Sequence, residues 1–156
     1  KTTLFRILMG LETPDSGTID GLKNLKISAV FQEDRLCESF SPIENVSMCA
    51  GRSIKTPRIK WELARLLPEE CLNRPVSTLS GGMKRRVAVI RALLTPSRIL
   101  LMDEPFTGMD DELKRNVISY IREKQDGRLL ILSTHQEEDV ELIGGELVRL
   151  ERCMDV

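Results

Sequence analysis

Ile99 to Met102 is an unbroken apolar run with no polar alternation, the pattern of a strand buried on both faces. Asp103 and Glu104 follow it, and Pro105 cannot continue a central ladder. Both carboxylates therefore fall where the strand stops, at the carboxyl edge of a sheet. Leu129 to Leu132 repeats the buried-strand pattern and delivers Ser133-Thr134-His135 to the same edge. Ile27 to Phe31 reads as another strand, ending in Gln32, and Leu147 to Leu150 as a short last one. The polar stretch Thr18 to Asn24 reads as an edge hairpin turning at Gly21.

Between these runs the apolar spacing becomes helical. Leu4, Ile7, Leu8 and Leu11 follow the i, i+3, i+4, i+7 rule behind Lys1-Thr2-Thr3. From Pro42 to about Asn73, Ile43, Val46 and Cys49 mark one helix face and Ile59, Leu63, Leu66 and Leu67 another, with Trp61 nearby. Pro57, Pro68 and Pro75 punctuate that region. Ser80 is a good N-cap for a helix lined by Met83, Val87, Ile90 and Leu94. Leu113, Val117, Tyr120 and Ile121 predict a further helix, and Glu137 to Ile143 the last. Strands alternating with helices predict an α/β fold with a mostly parallel sheet flanked by helices. Residues 42–78 form a small inserted helical subdomain in this reading. Segments 1–41 and 79–156 make the core of one domain, 1–156.

Composition narrows the functions. The 156 residues are 41% hydrophobic and 30% charged, as in a globular domain. A net charge of -1 gives no support to nucleic acid or an anionic membrane as a partner recognised by bulk charge. No apolar run approaches the ~18 residues of a bilayer span. Ile7 to Leu11 is too short for a signal peptide. Any link to a membrane therefore runs through another protein. Cys37, Cys49, Cys71 and Cys153 are scattered and there is one histidine, which points to reduced cytosolic thiols and away from zinc.

Candidate chemistry collects at the sheet edge. Of two adjacent acids there, one suits holding Mg2+ and the other suits orienting and deprotonating a water. An isolated D-E-P is also compatible with a solvated strand end. Lys1-Thr2-Thr3 before a helix is the back half of a G-x-x-x-x-G-K-[ST] phosphate loop. In that loop the lysine reaches the β and γ phosphates, the next hydroxyl binds Mg2+, and the helix N-terminus adds amide donors. Gln32 is either a neutral ligand for Mg2+ or water, or one more loop glutamine. Ser80-Gly81-Gly82 is either an anion-facing helix start open to a ligand, or a capped surface helix.

The ordered set K-T-T, strand-Gln, L-S-G-G, strand-Asp-Glu-Pro, x-G-x-D and strand-S-T-H resembles the ATP-binding subunit of ABC transporters across the whole chain. The resemblance implies a P-loop NTPase-type fold with a RecA-like core, an ATPase, and ATP and Mg2+ as ligands. It implies that Lys1 binds the β and γ phosphates, Thr2 the Mg2+, and Thr3 a phosphate nearer the ribose. Gln32 would sense γ-phosphate and Mg2+ and contact the membrane partner. Asp103 would hold Mg2+, Glu104 would be the general base, and His135 would contact the γ-phosphate. Ser80, Gly81 and Gly82 would close on ATP held by the opposite subunit of a homo- or heterodimer, and Asp110 would couple the two sites. Splitting the phosphate donors between subunits ties hydrolysis to closure, and closure to movement of the helical insert beneath a transmembrane permease.

D-E-P-F is similar to importer subunits, such as those for nitrate, sulfonates or taurine, which implies a peripheral place on the cytoplasmic face and an extracytoplasmic solute-binding protein in the complex. Met83, Ile90 and Thr107-Gly108-Met109 depart from the common residues but remove no phosphate ligand. The runner-up is a non-transport relative acting on ribosomes or DNA. Because the chain opens in mid-motif at Lys1, a third reading is an inactive remnant lacking the glycine loop and the strand before it. A sheet lacking that strand is expected to be poorly stable or to aggregate. A sharp, cooperative thermal melt of a monomer would contradict this.

Overall fold

The computed structural model describes residues 1–150, so Cys153 lies outside the described residues. The sheet has three parallel strands in the order β1 (Ile27–Val30), β2 (Ile99–Asp103) and β3 (Leu129–Ser133). The register sets Val30 beside Met102 and Asp103 beside Ser133. All of β2 is buried, as its unbroken apolar run requires. Its side chains alternate between two cores. Leu100 and Met102 join the large core beneath the helices α2 (Pro42–Ser47), α3 (Thr56–Ala64), α4 (Gly81–Leu94) and α5 (Asp111–Gln125). Ile99 and Leu101 meet Phe5 of α1 (Thr2–Leu8) on the other face. The fold is α/β, with its helices on both faces of a parallel sheet.

Local signals start these helices where the side chains allow. Ser41 and Glu44 form a reciprocal capping box at α2. Ser80 caps α4 by accepting from the Met83 amide, and Asp110 caps α5 by accepting from the Leu113 amide. Two short 3-10 turns, Glu69–Cys71 and Val76–Thr78, bridge α3 to α4. A buried carboxylate ties α3 to α5: Glu62, 1% exposed, accepts from Tyr120 Oη at 3.0 Å and Lys124 Nζ at 2.7 Å. Burial first, then the Glu62 charge, pushes the Tyr120 hydroxyl well above its usual range, so it remains a donor.

Four expectations need correction. Thr18 to Asn24 is irregular, with a turn at Lys23 and Asn24 and no hairpin; Gly21 and Asn24 take positive φ there. Leu147 to Leu150 forms no strand, and Leu147, Val148 and Leu150 stay exposed. β3 is not buried throughout, because among the described residues it has a ladder only to β2; Leu129 is 55% exposed. In α1 the inward residue is Phe5, while Leu4 and Leu11 are exposed. The helix stops at Leu8, so its one buried face is the face set against Ile99 and Leu101. Leu100→Ala is expected to cost about 2–5 kcal/mol in urea unfolding, and Leu129→Ala less than about 1 kcal/mol. Equal losses would contradict this placement of the core.

Candidate functional site

Parallel pairing brings the predicted carboxylates to the edge where α1 begins. Asp103, 4% exposed, closes β2. One of its oxygens accepts from Thr2 Oγ1 at 2.7 Å, and the other from Ser133 Oγ. A carboxylate this buried needs such donors, and two hydroxyls supply them without neutralising its charge. Lys1 Nζ donates to Glu104 Oε1 at 2.9 Å and to the Thr134 carbonyl at 3.1 Å. His135 Nε2 lies 3.1 Å from the same Glu104 oxygen, with its side chain 77% exposed. Lys1, Thr2, Asp103, Glu104 and His135 thus form one cluster.

Glu104 itself is held in an unusual backbone. Its φ of 50° lies in the left-handed region, which costs a non-glycine residue of order 1–3 kcal/mol. The surroundings enforce it. Its amide donates to the Ser133 carbonyl at 3.1 Å, and its own carbonyl accepts from Thr107 Oγ1 at 3.1 Å. The turn re-aims the chain just after a buried strand and leaves the Glu104 carboxylate 19% exposed beside Lys1 and His135.

The other predicted residues lie apart from this cluster. Gln32 is exposed, two residues past the end of β1 and on the same sheet edge. Thr3 is exposed on α1. Ser80 and Gly81 are exposed at the start of α4, and a side chain on Gly81 would meet nothing within 4 Å. Gly82 differs: a Cβ there would lie 3.0 Å from the Gly108 carbonyl oxygen, so its missing side chain serves packing against the T-G-M-D turn. Asp110 closes that turn as the α5 cap.

Sequence reading did not single out Ser133, Lys114 or Asp139 as site residues. Ser133 is the register partner of Asp103, a pairing readable only once the strands are aligned. Lys114 of α5 and Asp139 of α6 (Glu137–Ile143) are a buried ion pair at 3.0 Å. Asp139 also accepts from Thr134 Oγ1 at 2.6 Å, and Lys114 donates to the Gln136 side chain. This pair fixes the loop that carries His135. Chain spacing alone does not show that α5 and α6 meet.

A lysine, a hydroxyl and two carboxylates thus meet at the carboxyl edge of a parallel α/β sheet, the place where open sheets of this kind bind their ligands. The chain belongs to the ABC transporter family, whose sequence pattern matches residues 1–107. It is 41% identical over 137 residues to the molybdenum import ATP-binding protein ModC of Shewanella sp. (strain MR-7), covering 78% of this chain and 37% of that protein. It is 33% identical over 165 residues to the Nod factor export ATP-binding protein I of Ralstonia nicotianae, covering 94% of this chain and 51% of that one. The sulfate/thiosulfate import ATP-binding protein CysA of Xanthomonas campestris pv. campestris is also 33% identical, over 91% of this chain and 48% of its own length. The chain therefore spans a third to a half of these relatives' lengths. Among solved structures, a dimeric ATP-binding cassette in a post-hydrolysis state with ADP and Pi superposes with a TM-score of 0.76 at 25% identity, over 90% of this chain and 72% of that one.

Asp139→Ala would leave Lys114 buried without its partner and is expected to cost about 3–5 kcal/mol in denaturant unfolding. Replacing both, Lys114→Met with Asp139→Leu, is expected to recover most of that loss. A double variant as unstable as the single one would contradict the role of the pair.

Proposed function

We propose that the protein binds ATP with Mg2+ at the cluster of Lys1, Thr2, Asp103, Glu104 and His135 and hydrolyses it, as the energy-coupling subunit of a membrane transporter. The observation that carries this reading is the Thr2 hydroxyl 2.7 Å from the buried Asp103 carboxylate, with Lys1 and His135 both on Glu104 beside it. Adjacent hard oxygens suit Mg2+, and an ammonium group beside them suits phosphate. The donor set fits both groups.

In this reading Thr2, Asp103 and Gln32 hold the metal, which when bound would neutralise phosphate charge. Lys1 exchanges the Glu104 carboxylate for the β and γ phosphates, and Thr3 holds a phosphate nearer the ribose. Released from Lys1, the Glu104 carboxylate takes a proton from the attacking water, and His135 orients the terminal phosphate. Ser80, Gly81 and Gly82 act on nucleotide held by a second ATP-binding subunit, and Asp110 carries the state of one site to the other. Residues 42–78 form the unit that transmits closure to a transmembrane permease.

No helix among the described residues is long and apolar enough to cross a membrane, which fits a peripheral subunit held to the inner face by that permease. An importer would add an extracytoplasmic solute-binding protein. Relatives named for import and for export both align with the chain, and they favour transport over a ribosome-acting role. Glu104→Gln is expected to lower ATP turnover by about 100- to 10,000-fold while leaving nucleotide binding in place. Unchanged turnover, or loss of binding together with turnover, would contradict Glu104 as the base.

A further inference from the structure

The basic residues early in α4 are engaged with another segment. Arg85 is buried to 6% exposure, and its two terminal nitrogens donate to the carbonyls of Phe31 and Gln32. Its Nε lies 3.2 Å from the Asp34 carboxylate. Further along the helix, Arg91 donates to the carbonyls of Arg35 at 2.7 Å and Asp34 at 2.9 Å. Lys84 reaches both carboxylate oxygens of Glu38, at 3.0 and 2.9 Å. The chain from residue 31 to 38 has no helix or strand of its own, and Arg35 takes a left-handed φ of 47°. Four carbonyls that would otherwise depend on water are thus satisfied by two guanidinium groups of one helix. A rigid planar fork holds two neighbouring carbonyls through separate nitrogens in a fixed geometry, where a lysine offers one flexible point charge.

We propose that Arg85, supported by Arg91, is a positioning residue that makes the Gln32 loop and α4 a single body, so that displacement of Gln32 is carried directly to Ser80, Gly81 and Gly82 at the helix start. The functional weight of this clamp rests on the nucleotide reading given above. The clamp itself rests on the contacts. Burial raises the Asp34 carboxyl above its usual range while Arg85, Lys84 and Arg91 draw it down, as expected for an acid enclosed with the cations that hold it.

Backbone relaxation by NMR tests the clamp in the full chain. Order parameters for residues 32–36 are expected near about 0.85 in the wild type and below about 0.6 in Arg85→Met, with β2 unchanged and Arg85→Lys intermediate. A loop equally ordered in Arg85→Met, or a loss of order shared with β2, would overturn the proposal. Coupling has its own readout in the methyl resonance of Met83, in the first turn of α4. Mg2+ with ATP is expected to shift it in the wild type but not in Arg85→Met, while the Thr2 amide responds in both. A Met83 shift retained in Arg85→Met would overturn the coupling. If the Thr2 amide responds in neither protein, the nucleotide site fails and the order parameters still decide the clamp.

Discussion

A carboxylate buried to 4% exposure at the end of a central strand is the constraint to which the rest of this site answers. Two hydroxyls from different elements converge on Asp103, Thr2 from α1 and Ser133 from β3, and satisfy oxygens that would be costly to bury unpaired. The first contact orients a helix of seven residues, too short to persist alone when isolated helices below about 12–15 residues are marginal. Phe5 anchors that helix to Ile99 and Leu101, and Thr2 sets the position of its start. The second contact locks the register of β2 and β3, which places Thr134 and His135 beside Glu104. Lys1 then closes the cluster by bonding both Glu104 and the Thr134 carbonyl.

α4 organises the opposite side of the same edge. Its apolar residues Val87, Ala88 and Ile90 are buried in the larger core, while its cations reach out to satisfy loop carbonyls. Arg86 donates to the Leu66 carbonyl at 2.7 Å, so the helix also holds the segment after α3. Gly82 lets the turn before α5 approach closely. The start of α4, the Gln32 loop and the Asp110 turn are therefore joined by direct contacts, and Ser80 and Gly81 remain open for a ligand or a partner.

Much of this was legible in the sequence because it rests on local patterns. The unbroken run before Asp103 identified a doubly covered strand, and Ser80 marked a helix start through its own side chain. Three of the misreadings share a cause. Thr18–Asn24, Leu147–Leu150 and the exposed end of β3 depend on which neighbours a strand finds, and apolar alternation does not record that. The same holds for Arg85, Lys114 and Asp139, charged residues that looked ordinary until distant segments came together around them. Helical spacing places Arg85 on a face; only the fold shows that this face meets the carbonyls of Phe31 and Gln32.

Paramagnetic broadening with Mn2+ in place of Mg2+ is the most direct measurement of the central claim, that Thr2 and Asp103 form a metal site used with a nucleotide. In the presence of ATP, Mn2+ should broaden the amide resonances of Thr2 and Asp103 first and Gln32 with them, while Arg98 and Leu129 at the far end of the strands stay sharp. Thr2→Val should remove the effect. Broadening that ignores ATP, or that centres on the exposed acids of α6 instead of Asp103, would contradict a nucleotide-dependent metal site at this edge.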